Sequence, residues 1–171
     1  NKFFNELNEV GYITISNLMS STSLDYVNKL LHENLKLEEL HRKKIPGLSM
    51  GNLAIKSCFL HQKLWDEIKD NGLIDFLSEH FSEHKYVSFG GNLNLPGSKK
   101  QRLHIDTGDD NLTINIPLVD VTVENGAVSV VDTNMSNPPN TLELFRKKLY
   151  KKEKPICSNK GDVILRFSSA W

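Results

Sequence analysis

The feature that most constrains what this chain can fold into is a change of texture near residue 85. Before it, apolar residues recur at helical spacing; after it, they come in short alternating or β-branched runs broken by turn residues. Helices first and antiparallel strands afterwards favour an α+β, mainly β architecture, a sandwich or barrel with helices packed on one outer face. The length of 171 residues fits one domain spanning 1–171, with 1–84 as a mostly helical covering segment and 85–171 as barrel strands.

Local signals divide the chain further. Phe3 to Leu7 reads as a short helix stopped by Gly11, and Tyr12 to Ser16 as a strand. Ser21 to Ser23 offer an N-cap for a helix carrying Leu24, Val27, Leu30, Leu31, Leu35 and Leu37. The stretch from Lys43 through Asn52 reads as an irregular connection, and His61 to Glu83 as two helices parted at Asn71-Gly72. Strands are predicted over Tyr86–Leu95, Gln101–Asp106, Leu112–Val119, Ala127–Val131 and Val163–Phe167, with one more helix from Thr141 to Lys152. Asn125-Gly126 has the composition of a type I′ hairpin turn.

Charge and cysteine usage narrow the partners. Lysine plus arginine equals aspartate plus glutamate at 21 each, so nothing points to a broad basic surface for nucleic acid or anionic lipid. A small-molecule partner is the simpler expectation. No apolar run approaches the roughly 20 residues of a membrane span. Cys58 and Cys157 stand in no metal or redox spacing and read as reduced, buried thiols in a cytoplasmic protein. No feature bears on oligomeric state.

The chemistry concentrates in Gln101-Arg102-Leu103-His104-Ile105-Asp106. Strand alternation would turn His104 and Asp106 to one face, an imidazole beside a carboxylate. Those are two of the three ligands of the facial site that holds non-haem Fe(II) and leaves coordination positions open. In Leu112 to Leu118, the apolar residues 112, 114, 116 and 118 share a face and Thr113 and Asn115 take the other. Either the polar pair looks into the cavity of His104 and Asp106, or the apolar set fills the interior and Asn115 faces solvent.

With these residues in order, the chain resembles the phytanoyl-CoA dioxygenase family of Fe(II)/2-oxoglutarate oxygenases. The likeness runs through the early Gly11-Tyr12 strand, Asn94-Leu95-Pro96-Gly97, His104-x-Asp106 and Ile116-Pro117-Leu118-Val119-Asp120. It continues through Glu124-Asn125-Gly126 to Val131 and ends in Gly161-Asp162-Val163-Ile164-Leu165. The resemblance implies a double-stranded β-helix (jelly-roll, cupin-like) core, with His104 and Asp106 as metal ligands and catalytic centre. It also implies that Asn94 lies near the co-substrate 2-oxoglutarate; Thr113 and Asn115 would join it there if the polar face of their strand looks into that cavity. Dioxygen and a small-molecule substrate would complete the reaction, a hydroxylation coupled to oxidative decarboxylation of the co-substrate. The family's distal histidine and its carboxylate-binding arginine would fall after Trp171, which leads us to expect a chain that continues. After Val131 the family's Pro-Gly-Ser-His turn is replaced by Asp132-Thr133-Asn134-Met135-Ser136, so the likeness names no substrate. The rival expectation is a non-catalytic jelly-roll binding domain with an incomplete metal site.

Overall fold

The computed structural model describes residues 2–42, 52–55, 58–81, 91–94, 104, 111–136, 142 and 153–169. These form a mixed α+β protein with four helices and small antiparallel sheets. The chain divides into two compact units, residues 1–17 with 101–171, and residues 18–100.

In the first unit, helix α1 (Lys2–Val10) buries Leu7 completely and stops at Gly11, whose φ of 89° no β-carbon opposes. The Gly11 N–H donates to the Leu7 carbonyl at 2.9 Å, satisfying one of the helix's last acceptors. Strand β1 (Tyr12–Ile15) follows, as predicted. It pairs antiparallel with β7 (Val163–Phe167), and β7 pairs on its other edge with β4 (Leu112–Asn115). The order β1-β7-β4 puts Val-Ile-Leu-Arg-Phe in the centre, where a near-continuous apolar run belongs, and all of it but Arg166 is buried.

Register sorts the side chains of this sheet into two faces. Ile13, Leu165 and Ile114 are cross-strand partners, and with Ile15, Val163, Phe167 and Leu112 they make one apolar face. Tyr12, Arg166 and Thr113 are partners on the other, together with Thr14, Ile164 and Asn115. On that second face, Ile164 clusters with Val130 and Ile156, and Tyr12 packs against them.

Val130 and Ile156 come from a second ladder, β5 (Val128–Val130) paired antiparallel with β6 (Lys154–Ile156). The two ladders belong to one long ribbon. Val121 pairs with Ser158 through both backbone bonds, 2.8 and 3.1 Å, eight residues on from Thr113 and eight back from its partner Arg166. From there to Val128↔Ile156 one strand advances seven residues and the other two, so the excess of five is looped out. That loop carries Asn125-Gly126, and here the hairpin expectation is corrected. Neither flanking strand pairs with the other, and among the described residues only Asn17 has a positive φ without being glycine, so Asn125 lacks the geometry of a type I′ turn. Its side chain wins instead: Asn125 Oδ1 accepts from the Thr122 N–H at 2.7 Å and Nδ2 donates to the Asp120 carbonyl at 2.8 Å.

Other expectations need adjusting. Strand β4 ends at Asn115 rather than Val119, two residues before Pro117, whose missing N–H does not suit a ladder. Strand β6 was not predicted, because three residues including Pro155 carry no period. Cys157 is a free, exposed thiol rather than a buried one, since alternation after Ile156 turns it outward. The Thr141–Lys152 helix lies outside the described residues apart from the helical Leu142, and so does Gln101–Asp106 apart from His104.

The second unit holds α2 (Ser21–Arg42), α3 (Cys58–Asp70) and α4 (Leu73–His80), and the pair β2 (Asn52–Ile55) with β3 (Gly91–Asn94). Leu24 and Val27, Leu64 and Ile68, and Leu73 and Leu77 are buried at the three- and four-residue steps of helix faces. The N-cap of α2 is Ser20, one residue before the predicted group: its Oγ accepts from the Ser23 N–H at 3.3 Å, while its own N–H donates to the Glu67 carboxylate. Gly72, at φ 78°, parts α3 from α4 as predicted. Strand β2 replaces the loop expected at Asn52, its four residues stabilised by pairing with β3 rather than by their own propensity. No helix among the described residues is long and apolar enough to cross a membrane.

Candidate functional site

The second face of the β1-β7-β4 sheet brings several polar side chains together beside the Val130, Ile156 and Ile164 cluster. Arg166 sits at its middle because β7 is the central strand, flanked by Tyr12 on β1 and Thr113 on β4. Its Nε donates to Asn115 Oδ1 at 3.2 Å, a bond between neighbouring strands. One step further, the Thr113 and Ser168 hydroxyls share a hydrogen bond of 2.7 Å, and Ser168 is 4% exposed. The Ser168 N–H also donates to the Asn111 carbonyl, so the chain just past β7 stays tied to the start of β4.

The electrostatics follow from burial beside charge. Burial, with the nearby Asp132 carboxylate adding to it, holds the Tyr12 phenol above its ordinary pKa. Tyr12 is therefore a neutral neighbour of Arg166 through the physiological range. Asp132 itself pairs with Lys154 at 2.5 Å, and that bond raises the Lys154 pKa. Arg166 is half-buried on this face, and Asn115 Oδ1 is one acceptor for its guanidinium.

The predicted site residues are distributed as follows. Thr113 and Asn115 are both half-buried and share the face that meets Val130 and Ile156, so of the two orientations open to β4 the polar pair faces the second ladder. His104 is exposed and lies outside the strands. Asp106 lies outside the described residues. Asn94 closes β3 opposite Asn52, in the second compact unit. Among the described residues no group of three or more His, Cys, Asp or Glu is placed to hold a metal ion. His80, which has the spacing of a metal ligand with His84, serves its helix end: its Nδ1 lies 2.9 Å from the Phe76 carbonyl and its ring stacks on Phe76.

Arg166 is the member of this face that sequence reasoning passed over. A single arginine inside Val-Ile-Leu-Arg-Phe, an otherwise apolar strand, was the available signal. Its partner on β4 required the register. In comparisons with protein-family models and with curated proteins, none matches this chain.

Proposed function

We propose that the protein is an Fe(II)- and 2-oxoglutarate-dependent dioxygenase that hydroxylates a small molecule, built on a jelly-roll core. The observation that carries this reading is the nested ribbon. Residues 112–130 run antiparallel to 154–167 in one long hairpin whose two ladders face each other through Ile164, Val130 and Ile156. A long hairpin folded over on itself is how a jelly-roll is made, and its interior is where such folds hold small ligands. The polar pair Thr113 and Asn115, on the face shared with that cluster, supports the same reading.

The donor chemistry suits the metal. An imidazole nitrogen from His104 and a carboxylate from Asp106 are the hard-to-borderline ligands that Fe(II) takes in oxygenases, and the exposed His104 is reachable by a metal from solvent. When bound, the iron would supply the activation of dioxygen. The chain's own contribution is to bind and exclude. His104 and Asp106 would hold the metal, Thr113 and Asn115 would offer hydrogen bonds to the co-substrate's oxygens, and the Val130, Ile156 and Ile164 cluster would keep water from the inner end. Retention of Asp106 favours hydroxylation over halogenation, because a halide would need the carboxylate's position.

Anaerobic titration of the full-length protein with Fe(II) and 2-oxoglutarate is the direct test. A weak visible charge-transfer band is expected, lost in His104→Ala and in Asp106→Ala. A full-length protein that never develops the band refutes the oxygenase reading and leaves a jelly-roll binding domain.

A further inference from the structure

We infer that Asn125-Gly126 is a site of spontaneous modification, where the asparagine of the folded protein converts to aspartate and isoaspartate and thereby opens the loop between the two ladders. The inference is independent of the oxygenase reading.

The first ground is the nucleophile. Deamidation at an Asn-Gly pair begins when the glycine nitrogen attacks the asparagine Cγ, and glycine has no β-carbon to hinder the approach. The chain has two such pairs, Asn71-Gly72 and Asn125-Gly126. They differ in the state of that nitrogen. The Gly72 N–H donates to the Lys69 carbonyl at 2.9 Å, so it must leave a hydrogen bond before it can react. Among the described residues no hydrogen bond engages the Gly126 N–H, and Asn125 and Gly126 are both exposed to water.

The carboxamide is the second ground. Asn125 Oδ1 accepts from the Thr122 N–H at 2.7 Å. Attack at Cγ builds negative charge on that oxygen, and a backbone N–H already in place stabilises it, as the donor of an oxyanion hole does. The Cγ–Nδ2 bond then breaks. Ammonia leaves with the proton given up by the Gly126 nitrogen, and a cyclic succinimide remains. Water opens the ring at either carbonyl, giving aspartate or isoaspartate; one water enters, one ammonia departs, and no electrons change hands.

The third ground is what the product does to the loop. Asn125 Nδ2 donates to the Asp120 carbonyl at 2.8 Å, and a carboxylate has no hydrogen to give, so conversion sets one acceptor against another. It also adds a negative charge to a loop that already carries Asp120 and Glu124, the latter held below its ordinary pKa by a hydrogen bond from the Thr122 side chain. Isoaspartate further adds a main-chain carbon between Thr122 and Ala127, which are joined by a bond of 2.9 Å from the Ala127 N–H to the Thr122 carbonyl. Thr122 follows Val121, whose two bonds to Ser158 lie between the β4-β7 and β5-β6 ladders, so the disturbance reaches that junction.

The test is ageing of the full-length protein in mildly alkaline buffer at physiological temperature. Peptide mapping by mass spectrometry follows each asparagine, and electron-transfer fragmentation tells isoaspartate from aspartate. In the native protein Asn125 should convert about 10-fold faster than Asn71, because only the Asn71 pair must first break a hydrogen bond at its glycine nitrogen. In urea that unfolds the chain the two rates should converge. Hydrogen exchange then reads the loop. The Val121, Thr122, Ala127 and Ser158 amides should exchange about 10-fold faster in aged than in fresh protein, and in fresh Asn125→Asp as in aged wild type. Asn125→Gln, whose longer side chain closes a ring far more slowly, should exchange alike before and after ageing. If native Asn125 converts no faster than Asn71, the site is wrongly assigned and the inference is overturned. Unchanged exchange at those amides in the converted wild-type protein overturns the opening of the loop.

Discussion

Removing the Asp162 carboxylate should cost the protein measurable stability. Asp162 is 3% exposed and sits in the turn just before β7. Its Oδ2 accepts from the Asn159 N–H at 2.7 Å, closing that turn, and its Oδ1 accepts from the Asn17 N–H at 3.1 Å, tying down the end of β1. One carboxylate thus joins two chain segments 145 residues apart. Asn17 is held at φ 54°, a conformation that asparagine tolerates and that this bond helps to retain. Hydrogen bonds to an ionised group are worth about 1.5–3 kcal/mol each. Both donors belong to exposed residues, so water can partly replace the lost acceptor. For Asp162→Ala this places the loss at the lower end, about 2–4 kcal/mol, a large share of the roughly 5–15 kcal/mol that stabilises a domain. The corresponding drop in Tm is roughly 4–16 °C. Urea unfolding followed by circular dichroism measures it, with the slope of the transition compared between variant and wild type to confirm that the same surface unfolds. A loss below about 0.5 kcal/mol would refute the reasoning, because it would mean that water replaces both bonds at no cost.

Two further outcomes follow from the packing and the charges. Leu165→Ala, at a position with no exposed surface in the central strand, should destabilise by about 2–5 kcal/mol in the same assay; a loss under about 1 kcal/mol would show that the apolar face collapses around the gap. For Glu67, burial by itself would raise the pKa, but hydrogen bonds from Ser23 and Ser20 and the charge of Lys63 outweigh it and hold the carboxyl below the ordinary value. A depressed pKa contributes stability that is present above the unfolded value, about 4.3, and lost as pH falls through the folded one. The wild type should therefore lose stability relative to Glu67→Gln below about pH 4.3, read as converging Tm values across a pH series; a constant gap down to pH 2 would contradict the assignment.

What this sequence determined alone was the identity and position of elements whose residues agree with one another locally. Periodicity and the glycine at position 11 were enough for α1 and β1, Asn71-Gly72 for the break between α3 and α4, and the apolar run at Val163 for β7 with its exact limits. The alternation of Leu112 to Asn115 was legible too, but not what each face meets. The register with β7 set Thr113 beside Arg166, on the face whose Ile164 packs with the second ladder. Short β2 and β6 were invisible beforehand because three or four residues hold no period, and a partner strand stabilises them instead. The Asn125-Gly126 turn failed as a hairpin for a similar reason: dipeptide preference is worth less than two hydrogen bonds from the Asn125 side chain and a ladder formed with a distant segment. The hydrogen-bonded pair of Arg166 and Asn115, 51 residues apart, exists only because two strands meet, and long-range pairing is information that no local window of sequence contains.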